Sequence, residues 1–225
     1  MTITLFDAQV AGTVLIQGLL ALMFIGGLWY AIDKLTHFDD YREIVVERNW
    51  RYLVQRLGLT GGQTAGVLAC FNLSGTWSGV GAMALGGLWV TLIMLLAYPF
   101  IERTVGHRAK FQEAHMNNMG VSLAKAAAYL TVGLVLNGSL SGNAPNITTA
   151  IAATVAFSAL GLVSVPIGVW LHNRGLKYDL TGETREDKLP AALELAGTLL
   201  ALGIILRNAI AGDFTGWAPG LIGFG

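Results

Sequence analysis

Charge is scarce in this sequence. Asp, Glu, Lys and Arg make up 12% of its 225 residues, about half the share of an ordinary soluble domain. The single cysteine, Cys70, excludes an internal disulfide and any cysteine-based metal cluster, and reads as a small apolar residue inside a helix. Lys plus Arg equal Asp plus Glu at 14 each, so there is no basic footprint for nucleic acid. The four histidines show no H-E-x-x-H or similar helical spacing. There is no phosphate-cradling G-K-[ST] loop, no G-x-S-x-G, no pair of carboxylates within an apolar run, and no filter of the potassium-channel type. The opening MTITLFD lacks the basic flank of a signal peptide and suits a short tail carried outside. These absences lead us to expect no catalysis, no metal and no cofactor.

What the chain does have is apolar length: 54% of its residues are hydrophobic. Twelve of the 14 cations fall in three connectors. These are 33–56 (Lys34, Arg42, Arg48, Arg51, Arg56), 102–117 (Arg103, Arg108, Lys110) and 172–188 (Arg174, Lys177, Arg185, Lys188). Long apolar runs separate these from cation-free segments near 75–80, 140–146 and the C-terminal tail. Lys and Arg are retained on the cytoplasmic side during insertion. A run of 20 or so residues, at ~1.5 Å each, crosses a hydrocarbon core about 30 Å thick. The expected fold is an all-α integral membrane protein. Its six spans lie near 8–32, 57–74, 80–101, 118–139, 147–171 and 189–211, with both termini on the non-cytoplasmic side. The Gly-rich second span, carrying Gln63, Thr64 and Asn72, is expected away from lipid.

The even spans end alike, each with two glycines nine residues apart: Gly66 and Gly75, Gly133 and Gly142, Gly203 and Gly212. The odd spans end in an acid or amide followed by a cation: Asp33-Lys34, Glu102-Arg103, Asn173-Arg174. One membrane domain over 1–225 therefore reads as three repeated helical hairpins, 8–78, 79–146 and 147–212, followed by an outer tail at 213–225. Small residues one turn apart let helix backbones approach where lipid supplies no hydrophobic drive. Such ladders run through Gly58, Gly62 and Gly66, through Gly120, Ala124 and Ala128, and from Ala192 to Ala196. They serve packing within the chain or an interface between subunits.

Lys125, Glu194 and Arg207 are the ionisable residues inside spans, and such residues are functional candidates by default. Lys125 and Glu194 lie at nearly one depth, so they form an ion pair locking hairpins two and three, or snorkel, or serve transport. Asn72, Asn137, Asn208 and Arg207 occupy the outer halves of the even spans. They either bond between helices or line an outward vestibule. His37, His107, His115 and His172 read as solvated connector histidines. In YREIVVERNWRYLVQRLGL, Val46, Trp50, Leu53 and Leu57 share a stripe. This suits a helix in the cytoplasmic interface, with Trp50 and Tyr52 at headgroup depth, or one that docks a soluble partner.

The stretch LKYDLTGETREDKLPAALELAGTLLALGIILRNAIAG (176–212) resembles the hairpin of the YjfL-type family of bacterial inner-membrane proteins, a domain-of-unknown-function family. FQEAHMNNMGVSLAKAAAYLTVGLVLNGSLSG follows the same scheme, while the first copy departs from it and Lys188 replaces the Asn in the third. The resemblance implies a bacterial cell inner-membrane location, no catalytic residue and a link to envelope or membrane maintenance. The expected function is a non-catalytic component, either a homo-oligomer or part of a larger complex, with a cytoplasmic protein partner at the connectors. The alternative is a channel or carrier for an ion or small solute.

Overall fold

The computed structural model describes residues 8–36, 40–72, 75–105 and 118–224, the side chains of 221–224 excepted. Its elements are α1 (Ala8–Leu35), a π-helical turn (Arg42–Val46), α2 (Trp50–Leu68), α3 (Trp77–Thr104) and α4 (Met119–Leu140). There follow α5 (Ile147–Gly175), a short α6 (Leu180–Arg185), α7 (Leu189–Ile210) and α8 (Trp217–Phe224). The described residues contain helices and no strand. Five helices, α1, α3, α4, α5 and α7, are long and apolar enough to cross a membrane. α2 is not one of them, since its 19 residues include Arg51, Gln55, Arg56, Thr60, Gln63 and Thr64.

Local chemistry sets the boundaries. Asn49, Thr76, Asn118 and Asn146 are N-caps whose side chains accept a backbone N–H from Tyr52, Gly79, Val121 and Thr149, each three residues on. Pro190 opens α7, where a missing N–H costs nothing. Gly75, Gly142 and Gly212 follow the ends of α2, α4 and α7 with φ of 71°, 96° and 134°. Gly142 and Gly212, two residues past α4 and α7, therefore turn the chain out of those helices, while Gly75 stands seven residues beyond α2, just before α3.

The predicted interfacial helix in the first connector is not formed. Its first half is the π turn and its second half is the opening of α2, separated by Arg48 at φ 51°. α2 thus starts at Trp50, not 57, and ends at Leu68, not 74. Trp50 is 72% exposed, in keeping with an interfacial position. Tyr52 is 3% exposed, because its hydroxyl donates to the Asp40 carboxylate inside the protein.

Packing is organised as a row of α2, α4 and α7 running parallel. In α4, 78% of the apolar window is buried, against 17% in α1 and in α5, which makes α4 the centre. A Cβ on Gly58 would overlap the backbone of Ala126, one on Gly62 the carbonyl of Tyr129, and one on Gly133 the backbone of Gly62. α7 repeats this on the other side of α4: a Cβ on Gly203 would lie 3.1 Å from Cα of Thr131, and one on Gly138 2.7 Å from the Arg207 carbonyl. A Cβ on Gly120 would lie 2.9 Å from the carbonyl of Thr184, under which α6 is folded. The glycine ladders therefore serve contacts within the chain.

α1, α3 and α5 run antiparallel against this row. α3 places Val90 at Gly66 and receives Cys70, just past α2, at Gly86, and α5 places Gly161 at Val135 and Gly168 at Leu202. α1 leans on α3 through Phe24 at Gly87. Outward, α1, α3 and α5 present apolar side chains such as Leu15, Leu19, Leu22, Leu85, Leu92, Ile151 and Val163. A face of this kind belongs in lipid.

Gly133→Val should lower the stability of the detergent-solubilised protein by about 1–3 kcal/mol through overpacking at α2. Gly26→Ala, where nothing lies within 4 Å, should leave the thermal midpoint unchanged in the same assay.

Candidate functional site

The charged residues of the helices gather where the connectors join them. Arg56, on the second turn of α2, is 1% exposed. Its Nε donates to Asp40 Oδ1 at 3.0 Å and its Nη2 donates to Asp33 Oδ1 at 3.2 Å, while Nη2 also pairs closely with Asp40. The guanidinium lies 5.0 Å from the Tyr52 ring centroid and 5.9 Å from that of Trp29. Two carboxylates and two aromatic faces thus take over the solvation that burial removes. Asp40 Oδ2 and Arg56 Nη1 are buried without a partner among the described residues.

A second cluster stands beside it. Lys125, on the second turn of α4, is 3% exposed and donates from Nζ to Glu102 Oε2 at 2.5 Å. Glu102 Oε1 accepts from Gln55 Nε2 at 2.7 Å and from the Tyr129 hydroxyl at 3.2 Å. Tyr98 stacks on Tyr129 with ring centroids 6.0 Å apart. One carboxylate at the end of α3 therefore ties together α2, α3 and α4.

Near the start of α7 stands an acid where α2 and α4 carry cations. Glu194 on α7 takes His172 Nε2 at 3.2 Å and the Tyr178 hydroxyl. That bond to Glu194 raises the Tyr178 pKa. Beside it, Lys188 pairs with Glu183 and lies 3.0 Å from Glu186, and these acids hold its pKa up. Tyr178, Glu183, Lys188, Pro190, Ala191 and Glu194 line an open cleft at this end.

These pairs have a common register. Asp33 to Arg56 and Glu102 to Lys125 each span 23 residues, and His172 to Glu194 spans 22. Each joins the last turns of α1, α3 or α5 to the first turns of the next helix of the row, α2, α4 or α7. Of the readings open for Lys125, the structure shows neither a pair with Glu194 nor snorkelling: Lys125 turns inward to Glu102 at the end of α3. His172 is likewise part of a pair, not a solvated connector residue. His37, His107 and His115 lie outside the described residues.

The opposite end is held by amides. Arg207 Nε donates to Asn137 Oδ1 at 2.7 Å, and Asn137 Nδ2 donates to the Ala65 carbonyl at 2.7 Å, so one chain of bonds crosses α7, α4 and α2. Arg207 Nη1 also reaches Asn208 Oδ1 at 3.1 Å. Asn72 stands apart from this chain, exchanging backbone bonds with the Gln17 side chain at 2.9 and 2.8 Å.

Asp40 and Gln17 were not singled out from the sequence, Arg56 stood there only as one connector cation, and Glu102 only as the end of a span. The 23-residue register would have found the first pairing, because Asp33 and Glu102 were already marked as odd-helix ends. Gln17 carries no such signal. Among the described residues, no group of three or more His, Cys, Asp or Glu could hold a metal ion. Chemically, the clusters neutralise charge and satisfy donors at the helix ends.

A family model described as "Domain of Unknown Function (DUF350)" matches residues 5–140 and 146–225. The chain belongs to the DUF350 family. As the resemblance implied, this is a family of unknown function. No curated protein and no solved structure matches the chain. What the DUF350 fold offers for a functional reading is therefore its own geometry.

Lys125→Ala should strand Glu102 and lower stability by about 3 kcal/mol. Lys125→Met combined with Glu102→Gln should recover most of that loss in a double-mutant cycle read by thermal or denaturant unfolding.

Proposed function

We propose that this DUF350 protein is a non-catalytic, multi-span component of a bacterial inner membrane, of the YjfL type, acting in envelope or membrane maintenance through assembly with itself or other proteins. One observation carries this reading. The ionisable groups inside the apolar helices are used up within the chain: Lys125 on Glu102, Glu194 on His172 and Tyr178, and Arg207 on Asn137. Charges spent on internal locks do not line a path for a solute, and they leave the outward faces free for lipid and neighbouring proteins.

The same reading has six spans in three hairpins, with α2 as the sixth. Support comes from its burial against α4 and α3, which lets a polar helix lie at membrane depth without meeting lipid. Aromatic side chains mark the two boundaries. Tyr30, Trp50 and Trp170 are exposed at the connector ends of α1, α2 and α5, with Lys34 over Tyr30 and Arg174 over Trp170. Trp77 and Trp217 are exposed at the other end. By the distribution of Lys and Arg, the connector side is cytoplasmic and both termini are outside.

The channel reading draws on Arg207, which makes no ion pair among the described residues and stands with Asn137 and Asn208 near the outer end. Reconstitution into liposomes separates the two. The expected result is no proton, K⁺, Na⁺ or Cl⁻ flux above protein-free vesicles, unaltered by Glu194→Gln or Arg207→Ala. Flux that either substitution changes would give the function to the channel.

A further inference from the structure

Arg207 is a cation whose partners among the described residues are all neutral. Its Nε donates to Asn137 on α4 at 2.7 Å and its Nη1 to Asn208 at 3.1 Å, which leaves Nη2 without a partner there. Asp213, the nearest acid in sequence, accepts instead from the backbone N–H and the side-chain amide of Asn143. A half-buried guanidinium in the last turn of an apolar helix is costly without an anion. The bond to Asn137 also draws it sideways, over the face of α4.

Below it runs a groove. α4 is buried where it meets α2, α3, α5 and α7, yet Leu123, Leu130, Leu134 and Asn137 are half-buried. Spaced by seven, four and three, they form one stripe. That stripe faces the gap between α2 and α7. A Cβ on Gly61 would lie 2.8 Å from Cδ2 of Leu130, and one on Gly203 3.2 Å from Cδ1 of Leu134. α3 and α5 reach α4 from its other side, at Lys125, Tyr129 and Val135. Leu68, seven residues on from Gly61, is exposed along one wall, and Ile204, three before Arg207, along the other. Floor and walls are apolar, and Asn137 with Arg207 stands at the end away from the connectors.

The geometry points to a binding site for one phospholipid, with its phosphodiester on Arg207 and an acyl chain in the groove. This rests on the membrane reading above, which puts this end of the row at the outer surface, and it goes beyond assembly. An Arg fork takes two oxygens of one phosphate. With Nε and one hydrogen of Nη1 engaged, Nη2 and the other Nη1 hydrogen remain for them. A soluble anion would use the guanidinium alone, whereas a phospholipid carries charge and chains on one glycerol. One leaflet is half of a core about 30 Å thick, or about ten residues of α4 at ~1.5 Å each. A chain entering beside Asn137 therefore passes Leu134 and Leu130.

The test uses the full chain in detergent micelles, with a phosphatidylglycerol bearing a diazirine in one acyl chain and a diacylglycerol bearing the same chain. Illumination should place the first label on Leu130, Leu134 and Ile204, at about ten times the yield of the second. Arg207→Ala should lower that yield about tenfold, and Arg207→Lys, which keeps the charge without the fork, should restore part of it. Glycerol 3-phosphate should not compete; competition would assign Arg207 to a soluble anion and overturn the lipid site. Equal labelling by the two lipids in the unsubstituted chain, a result that needs no variant to fold, would also overturn it. So would Leu130→Cys in a Cys70→Ala chain linking two copies on oxidation, which would give the groove to a second copy. Each of these leaves the membrane reading standing. Release of the chain from membranes by an alkaline wash without detergent would overturn both.

Discussion

Direct contact between helix backbones is the constraint on which the rest of this structure depends. In a bilayer, lipid tails are as apolar as leucine, so helices gain nothing by hiding apolar side chains from their surroundings. Association must come from dispersion at short range, and that requires the side chains to be out of the way. Gly58, Gly62 and Gly133 provide this between α2 and α4, and Gly138 and Gly203 provide it between α4 and α7. Once α2, α4 and α7 lie in parallel, their N-termini are brought to one end. Asn118 then reaches the Arg185 carbonyl at 2.9 Å, and Asp187 accepts from the Gly120 N–H at 2.8 Å. At the other end Asn143 and Phe214 bond across the exits of α4 and α7.

The same row explains why the buried charges pair as they do. A cation early in α2 or α4 is brought close to the end of the helix that precedes it, α1 or α3. Leaving it unpaired there would cost several kcal/mol. Asp33 and Glu102 supply the countercharge from the ends of α1 and α3, so each buried cation is paired with an acid of the preceding helix. On α7 the corresponding residue is Glu194, which is held by the His172 ring nitrogen and the Tyr178 hydroxyl. Arg207 differs, being held by amides alone among the described residues, and its bond to Asn137 belongs to the row and not to a hairpin.

Much of this was legible in the residues. Apolar runs located five long helices, because length and hydrophobicity alone decide that property. The glycine pairs marked both the close contacts, at Gly133 and Gly203, and the turns out of α4 and α7, at Gly142 and Gly212. Pairings were harder to read. Lys125 and Glu194 do lie at similar depth, but depth says nothing of rotation about a helix axis, and rotation turns each toward its own hairpin. Tyr52 looked interfacial because aromatic rings favour headgroup depth. Its hydroxyl is instead drawn inward by Asp40, a residue whose position depends on how the connector folds back. Gln17 was hidden because one amide in a long apolar run has no pattern.

The parallel row can be tested directly by asking which membrane face each helix end meets. In a Cys70→Ala background, single cysteines at Asn49, Asn118 and Lys188 sit at the starts of α2, α4 and α7, and cysteines at Thr76, Asn143 and Asp213 sit beyond their ends. With a membrane-impermeant thiol reagent, the first three should react from one face of the membrane and the last three from the opposite face. Any of the first three reacting from the same side as position 143 would contradict the account.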